Sequence, residues 1–411
     1  MARGSSPVPI TGGAPAPRRS HRNPCQYPSG LEAAQYQTWG WSPAPYSASI
    51  TMPSIPTAKI LDTAGPLRPG EELDAAAVDA WLKQQRPQLL GLPRVTQYAG
   101  GASNWTYRLE YENADLILRR PPAGTKAKSA HDMGREYRVQ KALKPVFHYV
   151  PEMVAYCEDP SIIGVDFYVM ERVAGIIPRK NLPRGLALPP ATVRQLCLNV
   201  LDALIELHQV DFQAAGLAGL SSGTGYTQRQ ISGWSKRYTK ARTWNVPGGR
   251  RIMQWLEANQ PAQERICITH NDFRFDNVVL DADEPTHILG ILDWELATLG
   301  DPLMDLGNLL AYWVQADDDF LAQATRRQPT HLPGMLTRQE VVAYYCEKTG
   351  FQPENWAFYE VYGLFRLSAI AQQIYYRYHH KQTRNPAFKN FWIFVHYLHW
   401  RCRRAIRSSG K

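Results

Sequence analysis

Three polar side chains in the second half of the chain have the types and spacing that phosphate chemistry requires. Residues 270–277 read His-Asn-Asp-Phe-Arg-Phe-Asp-Asn, so Asp272 is followed five residues later by Asn277, and Asp293 comes after the next apolar run. One carboxylate can accept the proton of an attacking hydroxyl, while a second carboxylate and an amide oxygen can hold Mg²⁺ against the phosphates of ATP. The pattern therefore predicts phosphoryl transfer, with Asp272 as the general base and with Asn277 and Asp293 as the Mg²⁺ ligands.

The spacing of this stretch is that of kinase catalytic loops, in which His-x-Asp is followed by Asn at the fifth position after the Asp. The alternative is a hairpin whose acids are solvated turn residues, but Asn277 and Asp293 in the right order argue against it. Arg274 stands two residues after Asp272, where a fixed cation can neutralise charge on the transferring group. We therefore assign Arg274 to catalysis beside Asp272; the alternative for Arg274 is a surface arginine.

The segment after this loop predicts a helix whose first turn supports it. Asp301 precedes Pro302, which is the pattern of an N-cap followed by proline at the first helical position. Asp305 lies one turn further on, where its carboxylate could accept hydrogen bonds from the loop backbone. His208 ends an earlier predicted helix without a partner at metal-ligand spacing, so we interpret it as a hydrogen-bonded structural histidine.

A second set of residues, nearer the beginning of the chain, could bind the nucleotide. A Gly-Gly-Ala-Ser-Asn loop joins two predicted strands, and small residues let backbone N–H groups approach phosphate closely. The residues assigned to this loop are Gly100, Gly101, Ser103 and Asn104. Arg119, at the end of a predicted strand, could hold the phosphates if Glu136 on the next helix paired with it. The alternatives are an ordinary hairpin turn and an exposed ion pair worth about 0–1 kcal/mol.

The periodicity of the sequence predicts two lobes that would position these residues. Between residues 95 and 171, alternating runs around one helix predict a small antiparallel sheet. The predicted strands are Val95–Tyr98, Trp105–Tyr111, Leu116–Arg119, Met153–Tyr156 and Asp166–Glu171, and the helices are Asp74–Gln85 and His131–Leu143. Beyond residue 175 the apolar positions recur mainly at helical spacing, with three short strands among them. The predicted helices there are 192–210, 354–378 and 388–400, and the strands are 266–268, 278–280 and 288–292.

Length and charge exclude several classes of protein. The chain has 411 residues, which suits two lobes sharing a cleft, and a formal net charge of +9. Residues 1–51 carry +3 and residues 401–411 carry +5, so the rest sums to +1, which argues against a nucleic-acid partner. No apolar run approaches the ~20 residues of a membrane span. Residues 1–56, rich in Pro, Gly and Ser, are predicted to be a disordered tail, and residues 401–411 a basic tail.

The six cysteines lie far apart and form no Cys-x-x-Cys pair. This pattern is typical neither of a zinc site nor of a small disulfide-bonded secreted domain. It favours reduced thiols in a cytoplasmic protein.

In these motifs the sequence resembles the aminoglycoside phosphotransferase family, and in particular the subgroup of kinase domains associated with acyl-CoA dehydrogenases. Seven blocks in the order of that subgroup carry the resemblance: GGASNWTYRL from Gly100, LRRPP from Leu118, REYRV from Arg135, FYVME from Phe167, DFRFDN from Asp272, LDWELATLGDPLMDL from Leu292 and YYRY from Tyr375. The resemblance covers about residues 74–400. It implies an α+β, bilobal protein-kinase-like fold, with a nucleotide-binding N-lobe at residues 74–174 and a helical C-lobe at residues 175–400 that holds the catalytic loop and the acceptor site.

The resemblance also implies ATP and Mg²⁺ as cofactors, with the roles already given to Asp272, Asn277 and Asp293. It further implies that backbone groups of Glu171 and Val173 receive the adenine. Most of the family has Gly at the position of Asn271. Choline kinases, which are similar in fold, also carry His-Asn-Asp here, so we do not interpret Asn271 as inactivating.

The acceptor is predicted from the subgroup and from charge. Members of the subgroup are implicated in phosphorylating 4-hydroxy fatty acyl-CoA, which implies an acyl-CoA acceptor and an acyl-CoA dehydrogenase as a functional partner. Residues 226–251 hold seven cations and no acid, which suits the phosphates of CoA better than a polycationic aminoglycoside. The alternative for this run is a solvated helix face. The alternatives for the whole chain are a choline- or aminoglycoside-type kinase and a catalytically silent nucleotide-binding scaffold.

Overall fold

The computed structural model describes residues 60–99, 104–122, 132–221 and 223–410. The predicted tail at residues 1–56 lies outside the described residues. The described chain has a small lobe built on one antiparallel sheet and a larger, mainly helical lobe. The predicted α+β, bilobal architecture is thereby confirmed.

The small lobe is a five-stranded sheet with a helix on each face. Its helices are α1 (Ala75–Gln85), α2 (Met133–Leu143) and the single-turn α3 (Pro160–Ile163), and its strands are β1 (Arg94–Gln97), β2 (Trp105–Glu110), β3 (Asp115–Arg120), β4 (Met153–Cys157) and β5 (Phe167–Glu171). The strands pair antiparallel in the order β1-β2-β3-β5-β4. Alternation along β3 sends Leu116 and Leu118 to the α1 side and Ile117 to the α2 side. The same alternation places Arg119 on the α2 side of the sheet.

The large lobe surrounds two short antiparallel strand pairs with helices. The helices are α4 (Pro190–Gln209), α5 (Tyr226–Ala241), α6 (Arg250–Ala258), α7 (Pro302–Ala311), α8 (Phe320–Thr325), α9 (Arg338–Thr349), α10 (Trp356–His379) and α11 (Phe391–Ser408). Strand β6 (Cys267–Thr269) pairs with β9 (Thr298–Gly300), and β7 (Val278–Leu280) pairs with β8 (Ile288–Ile291). The two segments that carry the predicted chemistry, residues 270–277 and 292–297, are connections between these strands.

Helices α7 and α10 cross in the core with their backbones in contact. A Cβ atom on Gly363 would collide with the carbonyl oxygen of Gly307, and a Cβ on Gly307 would lie 2.5 Å from the carbonyl oxygen of Tyr359. Only glycine allows so close an approach. The crossing brings α10 next to α7, which follows directly after β9.

The last helix is longer than predicted. The sequence predicts that this helix ends at residue 400 and that residues 401–411 form a basic tail, but α11 continues to Ser408. Cys402 and Ala405 are buried and extend the apolar face of Val395 and Leu398 at helical spacing. The interpretation of residues 401–408 as a tail was therefore wrong, because it rested on their positive charges and overlooked the apolar residues between them.

No helix within the described ranges is long and apolar enough to cross a bilayer. The cysteines that the structure describes are free thiols: Cys157, Cys197, Cys267, Cys346 and Cys402.

Candidate active site

Asp305 of α7 holds the backbone of the predicted catalytic loop. Its two carboxylate oxygens accept hydrogen bonds from the N–H groups of His270, at 2.7 Å, and Asn271, at 2.8 Å. His208 lies on the other side, with Nε2 3.2 Å from Asp305 Oδ2 and Nδ1 2.6 Å from the Tyr345 hydroxyl. Burial acts to raise the pKa of Asp305, but the hydrogen bond to His208 and the neighbouring His270 hold it below its usual value. The expectations for Asp305 and His208 are confirmed.

Asn271 occupies a backbone conformation that few residues adopt. Its φ is 64°, in the left-handed region that favours glycine and tolerates asparagine, which gives a physical reason for the glycine that most of the family carries here. The side chain also fixes the loop: Nδ2 donates to Thr269 Oγ1 at 2.9 Å and to the Leu296 carbonyl at 3.2 Å. Its Oδ1 accepts from the Tyr226 hydroxyl at 3.3 Å and from Asn308 Nδ2 at 3.2 Å. The departure from glycine therefore adds hydrogen bonds at an unchanged backbone.

Asp272 lies between His270 and Asn277, and both help to position it. Asn277 Nδ2 donates to the Asp272 carbonyl at 2.8 Å and to its Oδ2 at 3.4 Å. The Asp272 N–H donates to His270 Nδ1 at 3.3 Å, while His270 Nε2 lies 3.0 Å from the Leu292 carbonyl. These partners require the proton of His270 on Nε2. The Asp272 side chain is 19% exposed, so it is mostly buried but keeps some contact with solvent.

Arg274 is a largely buried cation between two acids, with only 18% of its side chain exposed. Its Nη2 lies 3.3 Å from Asp272 Oδ2, its Nε lies 3.2 Å from Asp276 Oδ1, and its guanidinium stacks 4.7 Å from the centre of the Tyr312 ring. Burial acts to lower the pKa of Arg274, but the two carboxylates outweigh it and raise the pKa above its usual value. The surface-arginine alternative is wrong, and a permanent positive charge sits beside Asp272.

Asp293 and Asn277 lie together at the open end of the β7–β8 pair. The Leu292 N–H donates to the Asn277 carbonyl at 2.8 Å, which ties the residue before Asp293 to Asn277. Asp293 has a φ of 69° and accepts a hydrogen bond at Oδ1 from Arg119 Nη2 at 2.8 Å. Burial acts to raise the pKa of Asp293, but Arg119, with smaller contributions from His270 and Arg274, holds it below its usual value.

These two side chains fit Mg²⁺. A carboxylate and an amide oxygen are hard oxygen donors, and Mg²⁺ in phosphate-transfer sites takes one or two protein ligands and completes its shell with phosphate and water. Within the described residues, no group of three or more His, Cys, Asp or Glu side chains could hold a metal ion by itself.

Arg119 connects the two lobes and is buried where it does so. Its Nη1 lies 3.5 Å from Glu136 Oε1, and its Nη2 contacts Asp293 across the cleft. The side chain of Glu136 is 1% exposed and accepts a hydrogen bond from the Tyr168 hydroxyl at 2.9 Å. Burial raises the pKa of Glu136 even though Arg119 opposes this. The predicted Arg119–Glu136 pair is present, and the alternative of an exposed pair is wrong.

The glycine-rich loop can be located only at its last residue. Gly100, Gly101 and Ser103 lie outside the described residues. Asn104 is buried at the start of β2, and its Nδ2 lies 3.1 Å from Glu295 Oε2, two residues after Asp293. The end of the predicted phosphate loop therefore lies beside the segment that carries the predicted metal ligand.

Glu171 and Val173 lie at the junction of the lobes. The Glu171 N–H already donates to the Glu152 carbonyl at 2.9 Å, so it is not available to an adenine. Val173 packs near Gly290 of β8, where an added Cβ would lie 3.2 Å from Val173 Cγ1. Ile176 then pairs with Leu280 of β7 through two backbone hydrogen bonds of 2.8 Å. In the described part of the chain, the Val173 N–H has no backbone hydrogen-bond partner.

Sequence reasoning assigned no role to three residues of the site, which are Arg135, Glu295 and Arg366. Arg135 of α2 donates to the carbonyls of Glu295, at 3.2 Å, and Ala297. Arg366 of α10 donates to the Asn271 carbonyl at 2.8 Å. Arg135 and Glu295 stand inside the quoted motifs, which was the available signal, whereas nothing near Arg366 in the sequence links it to the loop.

Comparison with known proteins agrees with this geometry. A profile of the phosphotransferase enzyme family matches residues 94–340, which is more than half of the chain. The chain belongs to this family. A crystal structure from Ralstonia eutropha assigned to the aminoglycoside phosphotransferases has a TM-score of 0.68 and 30% identity, and the match covers 80% of this chain and 96% of that one. The aminoglycoside phosphotransferase fold, which is that of the protein kinases, is thereby confirmed.

The curated relatives include larger proteins that share this domain. Acyl-CoA dehydrogenase family member 11 of Rattus norvegicus is 34% identical over 319 residues, covering 75% of this chain and 40% of the relative. Acyl-CoA dehydrogenase family member 10 of Mus musculus is 37% identical over 289 residues, covering 70% of this chain and 27% of the relative. The chain thus spans well under half the length of these relatives, and the predicted subgroup is confirmed.

Proposed function

We propose that this protein is an ATP- and Mg²⁺-dependent kinase that phosphorylates a hydroxyl of an acyl-CoA, of the 4-hydroxyacyl type. The observation that carries the proposal is the meeting of Asp272, Asn277 and Asp293 at one place, with Arg119 reaching them from the nucleotide lobe. A silent scaffold would have no need of a positioned, partly exposed carboxylate beside an oxygen-donor pair.

Each residue of the site has one role in the proposed reaction. Asp272 accepts the proton of the acceptor hydroxyl as its oxygen forms a bond to the γ-phosphorus of ATP, and the bond from that phosphorus to the β–γ bridging oxygen breaks, so ADP leaves with the electron pair. Arg274 offsets negative charge on the transferring group. Asn277 and Asp293 would hold Mg²⁺, which supplies charge neutralisation at the phosphates. Arg119, oriented by Glu136, would bind phosphate oxygens from the other lobe.

The acyl-CoA acceptor is supported by the charge on α5 and by the relatives. Lys236, Arg237 and Lys240 are exposed on this helix, whereas Arg229 turns back to the carbonyls of its own N-terminal turn. Three exposed cations without a nearby acid on the same helix favour the phosphates of CoA and disfavour a polycation. The names of the curated relatives point to acyl-CoA chemistry, and we extend the proposal to an acyl-CoA dehydrogenase as functional partner.

A turnover screen tests the proposal directly. ADP formation is measured with 4-hydroxyacyl-CoAs, free hydroxy acids, choline and kanamycin as acceptors. We expect the highest kcat/KM with a hydroxyacyl-CoA. Faster turnover of choline or kanamycin would contradict the acceptor and leave the kinase chemistry standing, whereas no acceptor-dependent turnover at all would contradict the kinase.

Charge reversal on α5 tests the CoA-binding surface. Changing Lys236, Arg237 and Lys240 to Glu should raise the KM for the CoA ester about tenfold near ~0.1 M salt, and less at higher salt, while leaving the KM for ATP unchanged. The matched control changes Lys141, Lys348 and Arg404 to Glu, because these exposed cations give the same charge change but lie on three other helices. Equal effects of the two triple variants would show that α5 is a solvated face.

A further inference from the structure

Arg366 of α10 is a buried cation next to the catalytic loop. The residue is 3% exposed, and its Nη2 donates to the Asn271 carbonyl at 2.8 Å. Asn271 directly precedes Asp272, so the guanidinium lies one residue from the proposed base. Its position depends on the glycine contact between α7 and α10, which brings α10 up to the loop.

The charge of Arg366 has no counter-charge in the described part of the chain. Arg119 contacts Glu136 and Asp293, and Arg274 contacts Asp272 and Asp276, but no described carboxylate forms an ion pair with Arg366. Burying an unpaired cation is costly, and an acceptor oxygen from a ligand would offset part of that cost.

A second buried arginine, Arg326, provides a comparison in which the role is structural. Arg326 is 9% exposed and also lacks an ion pair with a described carboxylate, but its guanidinium donates to three oxygens, those of Lys180, Gln328 and Asn181. Arg366 has one such oxygen among the described residues, the Asn271 carbonyl. Its remaining donors are therefore unaccounted for, whereas those of Arg326 are mostly satisfied.

Aromatic side chains lie close to the Arg366 guanidinium. Its Cζ lies 5.2 Å from the centre of the Trp234 ring, and Arg237 stacks 4.5 Å from the same ring. The pKa of buried Tyr312 is affected by groups on both sides: burial raises it most, the Asp272 charge adds to this, and Arg274 and Arg366 both oppose it. Tyr312 therefore lies within electrostatic reach of all three groups.

We propose that Arg366 is a specificity-determining residue that binds a carbonyl or carboxylate oxygen which the acceptor carries a few bonds from its reacting hydroxyl, with Trp234 beside the intervening chain. The proposal rests on the proposed function and assigns a protein group to the acyl carbonyl of its acceptor, or to the carboxylate of the free hydroxy acid. Arg366 contacts the residue directly before Asp272, and the proposal therefore takes the two acceptor groups to be close together. The phosphates of CoA, much farther from the hydroxyl, are left to the cations of α5.

The test compares acceptors with and without that oxygen. Arg366→Lys keeps the charge and a donor for the Asn271 carbonyl but removes the planar, two-pronged donor set. The acceptors are 4-hydroxyoctanoyl-CoA, free 4-hydroxyoctanoate and octan-4-ol, and hydrolysis of ATP by water reports on the loop itself. We expect kcat/KM for the thioester or the acid to fall by about 10- to 100-fold more than the rates with octan-4-ol and water, the range for a lost hydrogen bond to a charged group. The acceptor with the larger loss identifies which oxygen Arg366 binds.

Two further measurements keep the proposal falsifiable. A parallel loss for all acceptors and for water would show that Arg366 only supports the loop, and no loss for any would also overturn the proposal. Arg326→Lys is the matched control, for which we expect a lower melting temperature with the wild-type preference among acceptors. Should the wild type transfer phosphate to no hydroxyl, the proposed function fails; calorimetric titration of 4-hydroxyoctanoate into wild type and Arg366→Lys then decides on Arg366, since equal affinities would overturn its role.

Discussion

Asp272 and Asp293 are two carboxylates of one site with different surroundings. Asp272 faces Arg274 and the amide of Asn277, whereas Asp293 accepts a hydrogen bond from Arg119 of the other lobe, which holds its pKa below the usual value. We expect Asp272→Asn to lower turnover by about 100-fold or more, because it removes a positioned base, and to leave nucleotide affinity nearly unchanged.

Asp293→Ala should instead abolish the Mg²⁺-dependent part of nucleotide binding, since it removes the proposed metal carboxylate and leaves Arg119 without one of its two acids. Calorimetric titration with a non-hydrolysable ATP analogue, with and without Mg²⁺, separates the two variants. Loss of nucleotide affinity in Asp272→Asn alone would mean that the two roles are reversed.

Asn271 combines a left-handed backbone with a hydrogen-bonded side chain, and the two contributions can be separated. Asn271→Gly keeps the conformation and loses the side-chain hydrogen bonds, whereas Asn271→Ala loses the hydrogen bonds and also strains the backbone by about 1–2 kcal/mol. We therefore expect Asn271→Ala to reduce the free energy of unfolding more than Asn271→Gly, as measured by urea denaturation. Equal losses would show that the backbone strain is relieved by local movement.

At the scale of elements, the N-cap of α7 is a buried carboxyl group, Asp301, and its burial disfavours the charged form. Asp301 caps the helix by accepting the Met304 N–H at 2.9 Å, yet burial raises its pKa from 3.8 to about 6. The folded state therefore binds the extra proton between about pH 4 and pH 6. The contribution of Asp301 to stability is fully present below pH 4 and is lost as the pH rises through 6.

Asp301→Asn keeps a capping oxygen without the charge. We expect its melting temperature to equal or exceed that of the wild type at pH 7, and the difference to shrink toward pH 5, as scanning calorimetry would show. Asp301→Ala, which lacks the capping acceptor, should be less stable by about 1 kcal/mol. A difference between Asn and wild type that does not change with pH would contradict the raised pKa.

Local signals in the sequence account for the elements that were predicted and for those that were not. The small-lobe strands were placed within one or two residues because alternation and turn residues define them. Strand β9 was missed because Thr298–Gly300 has a single large apolar residue, Leu299, and so lacks the apolar run that marks β6 and β7; its pairing with β6 defines it. Asp305 could be predicted from its place one turn after a cap, whereas Arg366 lies 95 residues from Asn271 and reaches it only through the Gly307–Gly363 crossing.

At the scale of the whole molecule, polar contacts from the small lobe converge on one short segment of the large lobe. Residues 293–297 receive Arg119 at Asp293, Asn104 at the Glu295 side chain, and Arg135 at two backbone carbonyls. The same segment contains the proposed metal carboxylate. Lobe orientation and metal position are therefore coupled through it.

Arg135 allows this coupling to be tested, because its guanidinium donates to backbone carbonyls of the segment and, among the described residues, forms no hydrogen bond with a proposed metal or phosphate ligand. Arg135→Ala should loosen the small lobe, raise the KM for ATP several-fold with little change in kcat, and speed amide hydrogen exchange in residues 294–300, since a hydrogen bond to a charged group contributes about 1.5–3 kcal/mol. Arg138→Ala is the matched control, an exposed arginine one turn along the same helix. Nucleotide and Mg²⁺ should restore part of the lost protection in Arg135→Ala, because Asp293 then holds the segment from its other end. Identical exchange in the two variants would show that Arg119 and Asn104 alone align the lobes.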